Sequence, residues 1–374
     1  MIPVYQPFIE QDDIESVTQA LEANEISGTY GTSISRFEES FADYCGRRFG
    51  IAVSNGTAAL QLALHVAGIK KGDEVLVSAT TNIATALAVV HNGAIPVPVD
   101  SEPNSWNLDL NKLESLITPQ TKAILPVHLY GQPVAMDRLC EIASKHRLLV
   151  IEDCAEAHGA TVNQQKVGSF GVMGCFSFYA NKVITTGEGG MVLTDNAEIA
   201  DKLRLLRNLA FTTPRFRHEE IGFNYRMTGL QAAMGISQTR KIEAILAKKR
   251  KVAELYHKYL SSIPGIQLPT ERASSRHVFW VYGVVIQPQF GIGRNELAIR
   301  LKNQGIETRD FFCPMNQQPC FQSLPGFRKT ACPVSDSLWK NGLYLPSSPG
   351  LSEQEISKIA QAIQESHQPR FQAA

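Results

Sequence analysis

Hydrophobic and polar positions along the chain follow two different patterns. Apolar residues at helical spacing over 9–22 and 36–45 predict two amphipathic surface helices. Beyond them, helical segments alternate with five short apolar runs, which end at Ser54, Ser78, Val99, Val127 and Asp153. Because these runs are continuously apolar, helices are expected to cover both of their faces. The pattern predicts an α/β fold with a mostly parallel central sheet.

The composition and the hydrophobic pattern of the chain change after Pro264. Residues 228–262 are rich in Ala, Lys, Leu and Gln and contain no proline, which predicts one long connecting helix. Beyond Pro264 the apolar run at 279–286 predicts a strand, and helical spacing predicts helices over 294–304 and 352–366.

This change in composition and pattern predicts two domains. With 374 residues the chain is long enough for a large domain and a smaller one. We expect a large α/β domain over 13–240 and a small C-terminal α+β domain formed by 241–374 together with 1–12.

Composition and charge narrow the class of protein. Lys+Arg and Asp+Glu both total 36, so no net charge draws the chain to nucleic acid or to an anionic membrane. No apolar run approaches the roughly 20 residues of a membrane span, and the N-terminus lacks a secretion-signal pattern. The seven cysteines form no CxxC pair or Cys/His cluster, so neither a disulfide framework nor a metal site is indicated. Reduced, mostly buried cysteines in a cytoplasmic protein are expected.

The segment 54–60, Ser-Asn-Gly-Thr-Ala-Ala-Leu, leads from a predicted strand through a glycine turn into an apolar helix. The free N–H groups and the positive dipole end at such a helix start bind phosphate, here around Gly56 and Thr57. An ordinary helix-capping turn is the alternative interpretation.

Two buried ionisable groups stand out further along the chain. Asp153 ends an apolar strand, where α/β sheets place ligand-binding groups, and a protonated pyridine nitrogen would be a suitable cationic partner. Lys182 lies between an aromatic strand and a glycine-rich turn, in the apolar setting that depresses a lysine pKa for Schiff-base chemistry. Helix capping by Asp153 and a lysine stem reaching the surface remain the alternatives.

A fourth segment combines the run at 222–230, Gly-Phe-Asn-Tyr-Arg-Met-Thr-Gly-Leu, with the basic loop that precedes it. The loop carries Arg215, Arg217 and His218, which could clamp phosphate groups or simply form a solvated charge run.

In this order the motifs resemble the DegT/DnrJ/EryC1 sugar aminotransferases, which have the aspartate-aminotransferase fold. The resemblance covers nearly the whole chain through SNGTAAL, GDEVLV, VHLYG, IEDCAEAHGA, FSFYANKVITTGEGG, NYRMT and GLYLP. The phrases SEPNSWNLD at 101–109 and KVGSFG at 166–171 make the chain most similar to the GDP-perosamine synthase branch.

The resemblance implies a pyridoxal 5'-phosphate (PLP) enzyme of fold type I and assigns a role to each matching residue. Lys182 would hold the cofactor as a Schiff base and move the proton, and Asp153 would keep the pyridine nitrogen protonated. The other implied cofactor contacts are the ring contacts Ala155 and Glu156 and the phosphate ligands Gly56, Thr57, Ser177 and, from the neighbouring subunit, Asn224.

The resemblance also implies the reaction and the partners. L-glutamate would donate its amino group to a nucleotide-linked 4-keto-6-deoxy sugar, for O-antigen or another glycan, in a homodimer with shared active sites. Arg215, Arg217, His218 and Asn316 are the expected contacts to the sugar nucleotide.

Two positions depart from the family pattern. Asn82 stands where relatives usually carry an aromatic residue that stacks on the PLP ring, and Asn316 stands where relatives often carry histidine. These departures bear on the identity of the sugar more than on the class of reaction.

Three alternatives remain at this stage. A dTDP- or UDP-linked 3- or 4-keto sugar would change the substrate but not the reaction. A PLP-dependent sugar dehydratase is less favoured, because relatives with that activity have histidine where this chain has Lys182. A non-catalytic PLP-binding module would not need the set of Lys182, Asp153 and Ser177.

Overall fold

The computed structural model describes residues 1–368. The strands, in chain order, are β1 (Phe49–Val53), β2 (Glu74–Ser78), β3 (Ile95–Val99), β4 (Thr121–Leu125), β5 (Leu149–Asp153), β6 (Thr161–Val162), β7 (Gln165–Lys166), β8 (Met173–Ser177), β9 (Gly190–Thr194), β10 (Ile266–Gln267), β11 (Ser275–Arg276), β12 (Tyr282–Ile286), β13 (Arg309–Asp310) and β14 (Gly342–Leu345).

The α-helices are α1 (Gln11–Glu22), α2 (Ser33–Cys45), α3 (Gly56–Val66), α4 (Ile83–His91), α5 (Leu110–Leu116), α6 (Met136–His146), α7 (Ala197–Arg207), α8 (Gly229–Arg240), α9 (Ile242–Leu260), α10 (Arg294–Asn303), α11 (Pro319–Gln322), α12 (Pro333–Asn341) and α13 (Glu353–Ser366).

A seven-stranded sheet forms the centre of the molecule, in the order β1-β9-β8-β5-β4-β2-β3. The four pairs from β8 to β3 are parallel, and β9 runs antiparallel to both β8 and β1. Neighbouring residues of one strand face different cores: Cys175 packs on one side of the sheet and Phe176 on the other. The predicted α/β class, with a mostly parallel sheet covered on both faces, is therefore confirmed.

A second sheet, in the order β10-β12-β14-β13, is built from the C-terminal part of the chain. Helices α9, α10 and α13 contribute to its hydrophobic core, in which Ile2 from the N-terminal segment is also buried. Helix α9 contributes to the core of the large sheet as well, through Ile245 and Leu246. The domain boundary at residue 240 stays a prediction.

The prediction of one continuous helix over 228–262 is wrong, although the segment is helical. The structure has two helices, α8 and α9, which meet at Lys241, a residue with φ −109° and ψ 10°. At this junction the Lys241 amine contacts the carboxylates of Asp12 and Asp13 on α1, at 2.5 and 2.7 Å. No glycine or proline marks the break, and the partners that surround Lys241 are more than 200 residues away.

Among residues 1–368, none of the helices combines the length and the apolar character that a membrane crossing requires.

Candidate active site

A cavity of about 630 Å³ opens at the carboxyl ends of β5 and β8. This is the edge at which parallel α/β sheets place their ligands. Eight of the residues expected at the cofactor line this one cavity: Gly56, Thr57, Asn82, Asp153, Ala155, Glu156, Ser177 and Lys182.

The Lys182 side chain is buried, with 8% of the residue exposed. Its Nζ lies 4.0 Å from the centroid of the Trp280 ring, and its carbonyl accepts a 2.7 Å hydrogen bond from the Tyr5 hydroxyl. Burial lowers the pKa of the Lys182 amine, while the negative charges of Glu156 and Asp153 oppose that shift. An amine with a lowered pKa has a larger neutral fraction, which is the form that reacts with a carbonyl.

Asp153 is the last residue of β5, and its carboxyl group is held from two sides. Oδ2 accepts a 2.7 Å bond from Thr85 Oγ1, and Oδ1 accepts a 3.1 Å bond from the Ala155 amide. Burial raises the pKa of the Asp153 carboxyl, and these two hydrogen bonds partly offset the rise. The charged form therefore gains from a cationic partner in the cavity.

Glu156 supplies a second buried carboxyl group, with 2% of the residue exposed. Its Oε2 accepts a 2.8 Å bond from the Tyr130 amide. Burial raises the pKa of Glu156 to about 7, against the lowering effect of the Lys182 charge. This carboxyl group can therefore change its protonation state near neutral pH.

The start of α3 forms a cradle suited to an anion. The Asn55 side chain caps the helix by accepting a 2.8 Å bond from the Ala58 amide, and the helix begins at Gly56. A Cβ on Gly56 would lie only 2.7 Å from Ser177 Cβ, so only glycine lets the helix start approach Ser177 this closely. The first amides of α3 and the Ser177 hydroxyl converge there, as a phosphate site requires.

These groups fit PLP. Lys182 can hold its aldehyde carbon, Asp153 can pair with its pyridine nitrogen, and the cradle beside Gly56 matches its phosphate. A carboxylate, a lowered-pKa amine and a helix N-terminus in one cavity are the set that this cofactor needs.

Asn82 lines the cavity, but its side chain also has a structural role. Its Oδ1 accepts a 3.0 Å bond from the Ala84 amide, which caps helix α4. The unusual polar residue at this position is therefore at least in part a helix cap. Whether it also acts on the cofactor ring stays a prediction.

Five expected site residues lie outside the cavity lining. Arg215, Arg217 and His218 are exposed in their loop, and a ring nitrogen of His218 lies 2.8 Å from the Leu209 carbonyl.

The other two also lie away from the cavity. Asn224 is exposed and forms an isolated antiparallel β-bridge with Asn208. Asn316 is buried and donates a 3.0 Å bond to Asp336. The roles expected for these five residues stay predictions.

The structure adds residues that the sequence did not indicate. Thr85 binds Asp153 from the first turn of α4, and the Tyr130 amide binds Glu156. Trp280, Phe312 and Tyr344 come from the C-terminal part and close one side of the cavity. The run at 279–286 predicts only a strand. The observed strand begins at Tyr282, and Trp280, which precedes it, contacts Lys182.

The fold and the site together define a PLP-dependent aminotransferase of fold type I. The chain belongs to the DegT/DnrJ/EryC1/StrS aminotransferase family, which it matches over residues 7–364. Its activity is sugar amino transfer and its cofactor is PLP.

Individual relatives agree with this assignment. GDP-perosamine synthase of Caulobacter vibrioides is 42% identical over 364 residues, which is 97% of each chain. UDP-N-acetyl-3-dehydro-α-D-glucosamine 3-aminotransferase of Acidithiobacillus ferrooxidans is 38% identical over 344 residues, or 91% of this chain and 90% of the relative. The crystal structure of S. venezuelae DesV with a ketimine intermediate superposes with a TM-score of 0.89, at 33% identity, over 96% of this chain and 95% of that one.

Proposed function

We propose that this chain transfers the amino group of L-glutamate to carbon 4 of a 4-keto-6-deoxy sugar carried on GDP. The observation that supports the reaction is the single cavity that joins the Lys182 amine, the Asp153 carboxylate and the phosphate cradle at Gly56. The similarity to GDP-perosamine synthase over almost the full length supports the choice of substrate.

PLP, when bound, supplies an electron sink that lets an amino group pass between a donor and a carbonyl carbon. The residues of the chain bind it and move the proton. The neutral Lys182 amine takes a proton from the reacting carbon at Nζ and returns it later. Asp153 would accept a charge-assisted hydrogen bond from the pyridine nitrogen, and Thr85 Oγ1 holds the carboxylate in place for it.

We assign four of the five remaining expected residues, all except Asn316, to the interface between two copies of the chain. Asn224 would reach the cofactor phosphate of the partner subunit, and Arg215, Arg217 and His218 would bind the pyrophosphate of the nucleotide. The exposure of all four residues supports this role. Mixing Lys182→Ala and Asn224→Ala, each expected to be inactive alone, tests it: shared sites would restore about a quarter of the activity, and independent sites would restore none.

The decisive assay offers glutamate with a panel of nucleotide-linked keto sugars and follows 2-oxoglutarate and the amino sugar. Turnover of the GDP-linked 4-keto-6-deoxy sugar at least tenfold above the others is the expected result. Preference for a UDP- or dTDP-linked 3- or 4-keto sugar would reject the substrate but keep the reaction. Loss of water instead of gain of an amino group would indicate a dehydratase. The expected cytoplasmic location stays a prediction.

A further inference from the structure

The cavity around Lys182 has two unlike sides. One side is polar and comes from the large sheet and its helices, with Asn55, Gln61, Asp153, Glu156 and Ser177. The other side is aromatic and comes from the C-terminal part, with Trp280, Phe312 and Tyr344. We call these three rings the aromatic wall.

The aromatic wall offers few polar atoms to a ligand. The Trp280 Nε1–H is already used, because it donates a 2.6 Å bond to the Asn181 carbonyl. Phe312 has no polar atom in its side chain, and its amide donates away from the cavity to the Tyr130 hydroxyl at 3.2 Å. Within residues 1–368 the Tyr344 hydroxyl is the one side-chain polar group of the wall that makes no hydrogen bond to protein.

The wall is also supported from behind. Tyr130 is almost fully buried, with 1% of the residue exposed. Its ring centroid lies 5.4 Å from that of Phe312, 6.0 Å from that of Tyr344 and 6.4 Å from that of Trp280. Because closely packed interiors resist rearrangement, the wall presents a largely preformed apolar surface.

The position of the wall relative to Lys182 indicates which part of a sugar it meets. This step rests on the proposed function, in which carbon 4 is the carbon that gains nitrogen. Carbon 4 then reacts beside the Lys182 Nζ. Carbon 6 is attached to carbon 5 and so lies two bonds, about 2.5 Å, from carbon 4. Nζ itself is 4.0 Å from the Trp280 ring centroid, so the substituent at carbon 6 comes within reach of the wall.

From this geometry we infer that the aromatic wall selects 6-deoxy sugars, with Trp280 and Phe312 receiving the 6-methyl group. A methyl group loses no hydrogen bonds when it enters an apolar surface. A 6-hydroxyl group placed against Trp280 and Phe312 would give up its water partners without replacement, because the Trp280 N–H is already used and Phe312 has no polar side-chain atom. Apolar sites discriminate against an added hydroxyl by about 10- to 100-fold, which is the selectivity expected here.

Two ligand pairs that differ by one oxygen atom measure this selectivity on the holoenzyme. GDP-rhamnose and GDP-mannose, which have no keto group, report binding through the ratio of their Kd values. The GDP-linked 4-keto-6-deoxy and 4-keto-6-hydroxy sugars report kcat/KM. Each ratio is internally normalised, because a partly inactive preparation affects both members of a pair equally.

Two replacements of the same residue separate polarity from shape. Trp280→Phe and Trp280→Gln both remove the indole, but only Gln brings an amide to the wall. We expect the wild type and Trp280→Phe to favour the 6-deoxy member at least tenfold. In Trp280→Gln the ratio should fall to within about threefold of unity. Gln61→Ala, on the polar side, is the matched control and should keep the wild-type ratio whatever its absolute rates.

Three results would overturn the inference. A wild-type ratio near one would show that the enzyme does not distinguish the substituents at carbon 6. An unchanged ratio in Trp280→Gln would place the selection elsewhere. If the ratio fell as far in Trp280→Phe as in Trp280→Gln, or fell in Gln61→Ala, the general shape of the cavity and not the polarity of the wall would be responsible. If no keto sugar in the panel is aminated, the proposed function fails first and the inference falls with it.

Discussion

Thr85 Oγ1 donates a 2.7 Å hydrogen bond to Asp153 Oδ2 in the interior of the protein. Thr81 Oγ1 lies 2.7 Å from Thr85 Oγ1, and since the Thr85 proton points to Asp153, Thr81 is the donor of that second bond. The chain Thr81–Thr85–Asp153 fixes the orientation of the carboxylate whose pKa burial raises. The orientation of the carboxylate that we propose for the pyridine nitrogen is therefore set from helix α4.

Replacing Thr85 with Val should lower kcat roughly tenfold, because a hydrogen bond to a charged group contributes about 1.5–3 kcal/mol. Asp153→Asn should lower it further while the fold is kept, since an amide cannot stabilise a pyridinium. Thr81→Val, one step from the carboxylate, is the control and should have the smallest effect. Rates and PLP occupancy are measured for all three. Near-normal rates in Asp153→Asn with full occupancy would assign Asp153 to structure alone.

Lys182→Ala should abolish turnover, because the proton carrier and the covalent attachment point are both lost. The matched control is Lys249, another buried lysine, whose amine donates a 2.9 Å bond to the Trp280 carbonyl and a further bond to the Ser347 carbonyl. Lys249→Met should instead lower the free energy of unfolding by about 2–4 kcal/mol, since two buried carbonyls lose their donor. Turnover by Lys182→Ala above a few per cent of wild type would reject the mechanism.

The Glu156 carboxyl predicts a pH dependence of stability in the apoenzyme. Burial raises its pKa from 4.5 to about 7, so the folded protein binds more protons than the unfolded chain between these values. The stability that the folded protein gains from binding this proton is fully present below pH 4.5 and is lost as the pH rises through 7. Glu156→Gln should therefore match the wild type near pH 4.5 and exceed it by about 1–3 kcal/mol at pH 8. Denaturant unfolding at both pH values checks this, and a constant difference would contradict it.

Asn82→Tyr should slow the loss of PLP by roughly two- to tenfold, because an aromatic ring contributes about 0.5–1.5 kcal/mol of stacking. The same change removes the cap on α4 and should cost about 1 kcal/mol of stability. Asn82→Ala loses the cap without adding a ring, so comparing the two separates these effects. Faster PLP release from the Tyr variant than from the Ala variant would show that another residue covers the ring.

Replacing Arg215 and Arg217 together with Ala should raise the KM for the sugar nucleotide at least tenfold, because charge-assisted bonds to phosphate are lost. The half-reaction with glutamate should change little. Arg204→Ala removes a partly exposed arginine that pairs with Asp201 on α7, and it serves as the control for loss of surface charge. Equal damage to both half-reactions would mean that the loop supports folding or assembly.

Local patterns in the sequence were enough to predict much of this protein. Continuous apolar runs are typical of strands buried on both faces, and the run ending at Asp153 indeed lies inside a parallel sheet. Three features could be selected as candidates because each interrupts an apolar segment of the sequence: Asp153, Lys182 and the turn at Gly56. Their order along the chain also identified the family that the comparisons confirm.

Only the tertiary structure decided what surrounds those residues. Thr85 and Trp280 are 68 and 98 positions from the residues they contact, Asp153 and Lys182, and nothing in their local sequence indicates those contacts. The break at Lys241 likewise depends on carboxylates of α1. Hydrophobic periodicity reports which face of an element is buried, but the partner across a buried interface depends on how the elements pack. The amino-acid sequence therefore determined the elements and the reactive groups, and packing determined their neighbours, orientation and pKa.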